Sequence, residues 1–93
     1  MQLNYSKEFK EELNEIYLWK NYVFRSEKIA QKTVREIILK TKNLKIFPKA
    51  YKLLRKDGKV EYRKFIVKKY IIIYSLESEK INILHIYNQK LYK

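Results

Sequence analysis

The sequence predicts an α+β fold: an N-terminal strand, an antiparallel helical hairpin, then a C-terminal antiparallel three-stranded meander, with all strands in a single mixed sheet. Three observations predict it. Apolar residues recur at helical spacing through the first half of the chain, at Phe9, Leu13, Ile16 and Tyr17 and again over residues 29–44. After Asp57-Gly58 the period drops to two, and aromatic and β-branched residues alternate in short runs. Only short polar links separate these runs, too few residues for a crossover helix, so neighbouring strands must run antiparallel.

Residues 2–5 form the short first strand. Ser6 follows as a helix N-cap, with Glu8 in the first turn, where a negative charge complements the helix dipole. The apolar stripe Phe9, Leu13, Ile16, Tyr17 extends toward Tyr22 or Phe24, while Lys10, Glu11, Glu12 and Glu15 fill the other face. Ser26 restarts the pattern. Ile29, Ala30, Thr33, Val34, Ile37, Ile38, Thr41 and Leu44 make the cleanest amphipathic helix in the chain, and Pro48 forces it to end near residues 43–46. The break at Arg25-Ser26 folds the two helices into a hairpin.

Asp57-Gly58 is a strong turn signal, and residues 59–67, 70–76 and 81–87 then read as three strands. Lys68-Lys69 and residues 77–80 connect them. In the middle strand Tyr70, Ile72, Tyr74 and Leu76 share one face, which should meet the helices. Ile71, Ile73, Ser75 and Glu77 share the other, which turns polar toward its end and should be partly open.

With 93 residues the chain forms one domain, residues 1–93, with room for one modest core. No apolar run approaches the roughly 18 residues of a membrane-spanning helix. The opening MQLNYSKEFKEEL lacks an apolar leader, so the reading is a cytoplasmic protein without membrane attachment. The absence of cysteine excludes disulfides, thiolate metal sites and a cysteine nucleophile. Net charge is +12 and uneven: residues 1–46 carry ten cations and six anions, residues 47–93 twelve and four. Such a field draws in nucleic acid or an acidic protein. Eighteen of the 22 cations are lysine, which an AT-rich coding sequence also produces.

Most enzyme classes fall away. One glycine cannot build a phosphate loop, and a single histidine, His85, cannot anchor a metal cluster, so no metal and no cofactor are expected. His85 sits in an alternating strand, where a structural or merely exposed role competes with a catalytic one. Glu11, Glu12 and Glu15 read as a solvated helix face. What remains is a cationic set: Lys49, Lys52, Arg55, Lys56, Lys59, Arg63, Lys64, Lys68, Lys69, Lys90 and Lys93, interleaved with Tyr51, Tyr62, Tyr87 and Tyr92. Cations neutralise phosphates and tyrosines stack on unpaired bases. Metal-free RNA cleavage uses the same residue types, cations holding phosphorane charge and a Lys or Tyr of shifted pKa moving protons. A solvated basic surface has the same composition.

The stretch YRKFIVKKYIIIYSLESEKINILHIYNQK resembles the C-terminal sheet of the RelE/ParE superfamily of bacterial toxins from type II toxin–antitoxin pairs. The shared pattern is an arginine entering one strand, a two-residue break, an aromatic-aliphatic-aromatic strand, a charged turn, then an Ile-Leu-rich strand with a polar-basic tail. Upstream, the Ser-capped helix with LNEIY and the LKIFP preceding a basic loop are similar too, so the likeness covers nearly the whole chain. It implies a small toxin held inactive by a cognate antitoxin, as a homodimer or a hetero-oligomer with it. It also implies one of two targets: ribosome-bound mRNA, cleaved by RelE-like members without a metal, or DNA gyrase, poisoned by ParE-like members that are not nucleases. By the resemblance Arg63, Lys90 and Tyr92 are the candidate catalytic residues. Lys49, Lys52, Arg55, Lys56, Lys59, Arg63, Lys64, Lys68 and Lys90 are the candidate target-binding residues. RelE-like nucleases carry an arginine directly after the aromatic that opens the middle strand; here Tyr70 is followed by Ile71, which cannot stabilise a phosphorane. The likeness is therefore nearer the ParE side, with RelE-like cleavage as the alternative. From outside the family, a non-toxic basic nucleic-acid-binding module is a third reading.

Overall fold

The computed structural model describes residues 1–89. Strand β1 (Gln2–Tyr5) leads into α1 (Lys7–Phe24) and α2 (Glu27–Lys42), and a 3-10 turn (Asn43–Lys45) ends the helical hairpin. Strands β2 (Lys52–Asp57), β3 (Val60–Val67), β4 (Tyr70–Glu77) and β5 (Lys80–Asn88) follow. They form one five-stranded sheet in the order β1-β5-β4-β3-β2, with β1 parallel to β5 and every other pair antiparallel. The sheet is mixed, as the sequence predicts.

Both serine caps form. Ser6 Oγ accepts from the Phe9 N–H at 2.9 Å, and Ser26 Oγ accepts from the Ile29 N–H at 3.2 Å. Each satisfies one amide that the first helical turn leaves without a partner. Ser6 also donates to the Leu84 carbonyl at 2.6 Å, so the cap ties α1 to the edge of β5 as well. In α1, Phe9 and Leu13 are buried, and in α2 Ala30, Thr33, Ile37 and Thr41 are. Phe9, Leu13, Ile37 and Leu44 form one core with Phe65, Val67, Tyr70, Ile72, Tyr74, Leu76, Ile81, Ile83 and Ile86 from the sheet. Thr41 lies in this core because its hydroxyl donates to the Ile38 carbonyl at 2.7 Å and meets the Tyr5 hydroxyl at 2.7 Å.

The structure departs from the sequence reading in three places. The meander has four strands rather than three. Residues 52–57, read as a basic loop, pair with β3 as β2, with Asp57 opposite Val60. The stretch KLLRKD shows no apolar–polar alternation, and its charged residues are of the kind by which an edge strand avoids pairing with other chains. Second, the stripe on α1 stops short: Tyr22 is 82% and Phe24 49% exposed. Third, the face of β4 away from the helices is closed at two positions, where Ile71 and Ser75 are buried among strand neighbours. The three hairpin turns share a device. Gly58, Lys68 and Ser78 all sit at φ between 53° and 61°. A two-residue turn matched to the strand twist requires this positive φ, and only the first turn uses glycine for it.

Candidate target-binding surface

The sheet has two unlike faces. One carries Phe65, Val67, Tyr70, Ile72, Tyr74 and Leu76 into the core under the helical hairpin. Among the described residues no helix covers the other. Strand register places its residues in rows across the sheet. His85, Ile73, Lys64 and Lys52 form one row, and Asn82, Ser75, Tyr62 and Arg55 the next. A bulge between Ile73 and Tyr74 lets Leu84 slip out of the pairing and offsets β5 by one residue.

Arg63 occupies the core-facing side, opposite Tyr74. Its guanidinium donates through Nε and Nη2 to Glu61 Oε1 at 3.0 and 2.8 Å, and through Nη1 to the Tyr51 and Lys49 carbonyls at 2.6 and 3.2 Å. These bonds, with Lys49 nearby, hold the Glu61 carboxyl below the usual carboxylate range. Only 12% of the Arg63 side chain is exposed, and it pins residues 49–51 to the sheet. Tyr74, wholly buried, donates to the Pro48 carbonyl at 2.8 Å and holds the same loop from beneath. Burial pushes its phenol up to about 12. The Tyr51 ring packs at a tilt of 35° against Phe65, with ring centroids 5.0 Å apart. The strand-opening arginine of the sequence pattern is thus a loop clamp in this fold.

The remaining predicted cations divide between two places. Lys52, Arg55, Lys56 and Lys59 lie on the β2–β3 hairpin, every residue of β2 being exposed, and Lys64 stands opposite Lys52. Arg55 lies 4.8 Å over the Tyr62 ring. Lys49 bridges to Glu61 at 3.6 Å. Lys68 and Lys69 are at the far end of β3, in the turn to β4. There Lys68 pairs with Glu36 of α2 at 2.5 Å, and this bond holds the Glu36 carboxyl below its ordinary range. Lys69 sits 5.5 Å over Trp19. Burial, then the charges of Lys69 and Lys68, keep the Lys20 ammonium below the usual lysine range. Lys90, Tyr92 and Lys93 lie outside the described residues.

Two features of the surface escaped the sequence reading. Glu12, read as solvated, reaches the edge of β5 beyond the end of β1. There it accepts from the Ile86 N–H at 3.1 Å and meets His85 Nδ1 at 3.2 Å, while His85 stacks on Tyr87 at 5.5 Å. A carboxylate spaced to reach an unpaired strand edge has no signature in sequence. The other is apolar exposure at both ends of the molecule. Leu18, Trp19, Tyr22, Val23 and Phe24 crown the helical hairpin, and Ile46, Phe47, Leu53 and Leu54 cluster in sequence around the loop before β2 and its first residues. A cavity of about 390 Å³ lined by Lys10, Leu13, Asn14, Tyr17 and Val34 opens beside α1. Exposed apolar groups on this scale mark binding surfaces.

A helical hairpin on one face of a mixed sheet, a lysine-rich free face and apolar ends define a small α+β binding domain. The model of the ParE toxin of type II toxin–antitoxin systems, parDE, matches residues 3–90. The chain belongs to this family of toxins. A search of curated proteins finds no match. Among solved structures, a chain of the chromosomal ParDE toxin–antitoxin system from P. aeruginosa is similar over 95% of both chains, with a TM-score of 0.78 at 19% identity. A chain of the archaeal RelE–RelB complex from Pyrococcus horikoshii OT3 is similar over 95% of this chain and 93% of its own, with a TM-score of 0.68 at 16% identity. At these identities the likeness is one of fold, and the mixed sheet over a helical hairpin is the fold they share.

Proposed function

We propose that this toxin arrests growth by acting on DNA gyrase, and that a cognate antitoxin keeps it inactive by covering its apolar ends and cationic surface. The observation that carries the target is the residue after Tyr70. RelE-like nucleases, by the resemblance, carry an arginine there that can hold charge on the phosphorane. Ile71 stands in its place, only 4% exposed and with no capacity to stabilise an anion. Arg63, the other arginine of the pattern, is engaged by Glu61 and two loop carbonyls, which supports the same reading. The antitoxin partner is supported by the exposed Trp19, Tyr22, Ile46 and Phe47, and by the ParDE and RelE–RelB systems to which the two similar structures belong.

The test adds purified toxin to gyrase and relaxed plasmid. Loss of supercoiling, with linear DNA released after protein denaturation, is the expected result, and prior addition of antitoxin should abolish it. In cells, controlled expression should give DNA damage and filamentation while protein synthesis initially continues. Untouched gyrase, together with immediate translation arrest and mRNA cut within codons, would overturn the proposal in favour of ribosome-dependent cleavage.

A further inference from the structure

We infer that the free face of the β2–β3 hairpin is a duplex-DNA-binding ribbon, by which the toxin holds DNA directly, without help from a protein target. The first ground is the sorting of charge between the two sides of the hairpin. On the core-facing side Arg63 and Lys49 both pair with Glu61, and Lys56 stands opposite the same carboxylate. On the free side Lys52, Arg55 and Lys64 are grouped in adjacent rows, Lys59 stands at the turn, and Asp57, opposite Val60, is the one acidic residue of this face of β2 and β3. None of these four has an acidic partner among the described ion pairs. Three cations on one face of two strands and a fourth at the turn, against one aspartate, with strand neighbours about 4.8 Å apart, concentrate positive potential that suits a polyanion.

Shape is the second ground. A two-stranded antiparallel ribbon fits the major groove of B-DNA. Here β2 is an edge strand exposed at all six residues and β3 is paired on its other side with β4, so the ribbon is the outer edge of the sheet, and the register shift between Leu53 and Arg55 adds local twist to it. The third ground separates duplex from single strand. Unpaired bases are held by stacking on uncovered aromatic rings. On this face the Tyr62 ring already lies under the Arg55 guanidinium, and His85 and Tyr87 stack on each other with 15° between their planes. Charge and shape remain, and they are the means by which proteins hold the phosphates of a duplex.

The test is fluorescence anisotropy of a labelled 20-base-pair mixed-sequence duplex titrated with the full chain at several salt concentrations. The ribbon variant carries Lys52→Gln, Arg55→Gln, Lys59→Gln and Lys64→Gln. A charge-matched control carries Lys28→Gln, Lys32→Gln, Lys40→Gln and Lys42→Gln on the outer side of α2. Each phosphate contact contributes about 0.9 to the slope of log K against log salt, so the ribbon variant should lose roughly 3 to 4 units of slope and the control less than about 1. A triple variant sparing Arg55, with Tyr62 still covered, should lose roughly 2 to 3 units and guards against misfolding of the quadruple one. Equal losses in ribbon and control variants would reduce the effect to net charge and overturn the proposal. Tighter binding of a single strand of the same length would do so as well. If duplex affinity is unchanged while the ribbon variant loses its antitoxin, the ribbon is a protein contact and the assignment fails. The assay contains no gyrase, so none of these outcomes bears on the gyrase proposal.

Discussion

Removing Arg63 separates a structural role from a role in the toxin's action. In Arg63→Ala the Tyr51 and Lys49 carbonyls lose donors at 2.6 and 3.2 Å, and Glu61 loses the pair of bonds that holds it. Hydrogen bonds to charged groups contribute about 1.5–3 kcal/mol each, but the loop carbonyls are near solvent and water replaces part of the loss. The net cost is about 2 kcal/mol. For a domain of this size each kcal/mol moves the melting midpoint by about 4–8 °C, so Arg63→Ala should melt roughly 8–16 °C below the parent by circular dichroism. Arg63→Lys should recover only part of this, because a single ammonium cannot replace a fork that reaches a carboxylate and two carbonyls at once. Toxicity should fall only as far as the folded population falls, and growth at reduced temperature should restore it. An Arg63→Ala protein that melts with the parent yet is inert at every temperature would refute the clamp and return Arg63 to the functional site.

Two further outcomes follow from the same geometry. Ser6→Ala removes the α1 cap and the bond to the Leu84 carbonyl together, and should cost about 1–2 kcal/mol in urea unfolding, whereas Ser26→Ala, whose hydroxyl caps only α2 at an exposed site, should cost about half as much. Tyr74 supplies a pH signature. Its folded pKa of about 12 exceeds the unfolded value of 10, so the folded state keeps a proton that the unfolded state has released. The stability it contributes is intact below pH 10 and falls as pH rises toward 12, a loss absent from Tyr74→Phe. Equal alkaline slopes for the two proteins would contradict the buried phenol.

Local chemistry made most of the fold legible. Ser6 and Ser26 announce helix starts because a side-chain oxygen in that position satisfies an orphan amide, whatever lies elsewhere in the chain. Helical and two-residue periods report which face of an element is buried, and Phe9, Leu13, Ile37, Tyr70, Ile72 and Tyr74 all lie where their spacing places them. Strand β2 was hidden for the opposite reason. An exposed edge strand buries nothing, so no alternation marks it, and only its hydrogen bonds to β3 define it. The turns at Lys68 and Ser78 likewise adopt positive φ without glycine, because the paired strands on both sides impose it.

The candidate surface was legible in kind and not in arrangement. Sequence alone established a strongly cationic chain, rich in lysine and tyrosine along its second half, and so the expectation of a polyanionic or acidic partner. It could not separate a cation facing solvent from one facing Glu61, because that depends on strand parity and on what lies across the neighbouring strand. Tertiary structure made the division: Arg63 went to a loop clamp, Lys68 to Glu36, and Lys52, Arg55 and Lys64 to a free face. It also brought Glu12 beside His85 and Ile86 from 73 and 74 residues away. Charge and periodicity are properties of a chain, whereas the partner of a given charge is fixed only when the strands find their register.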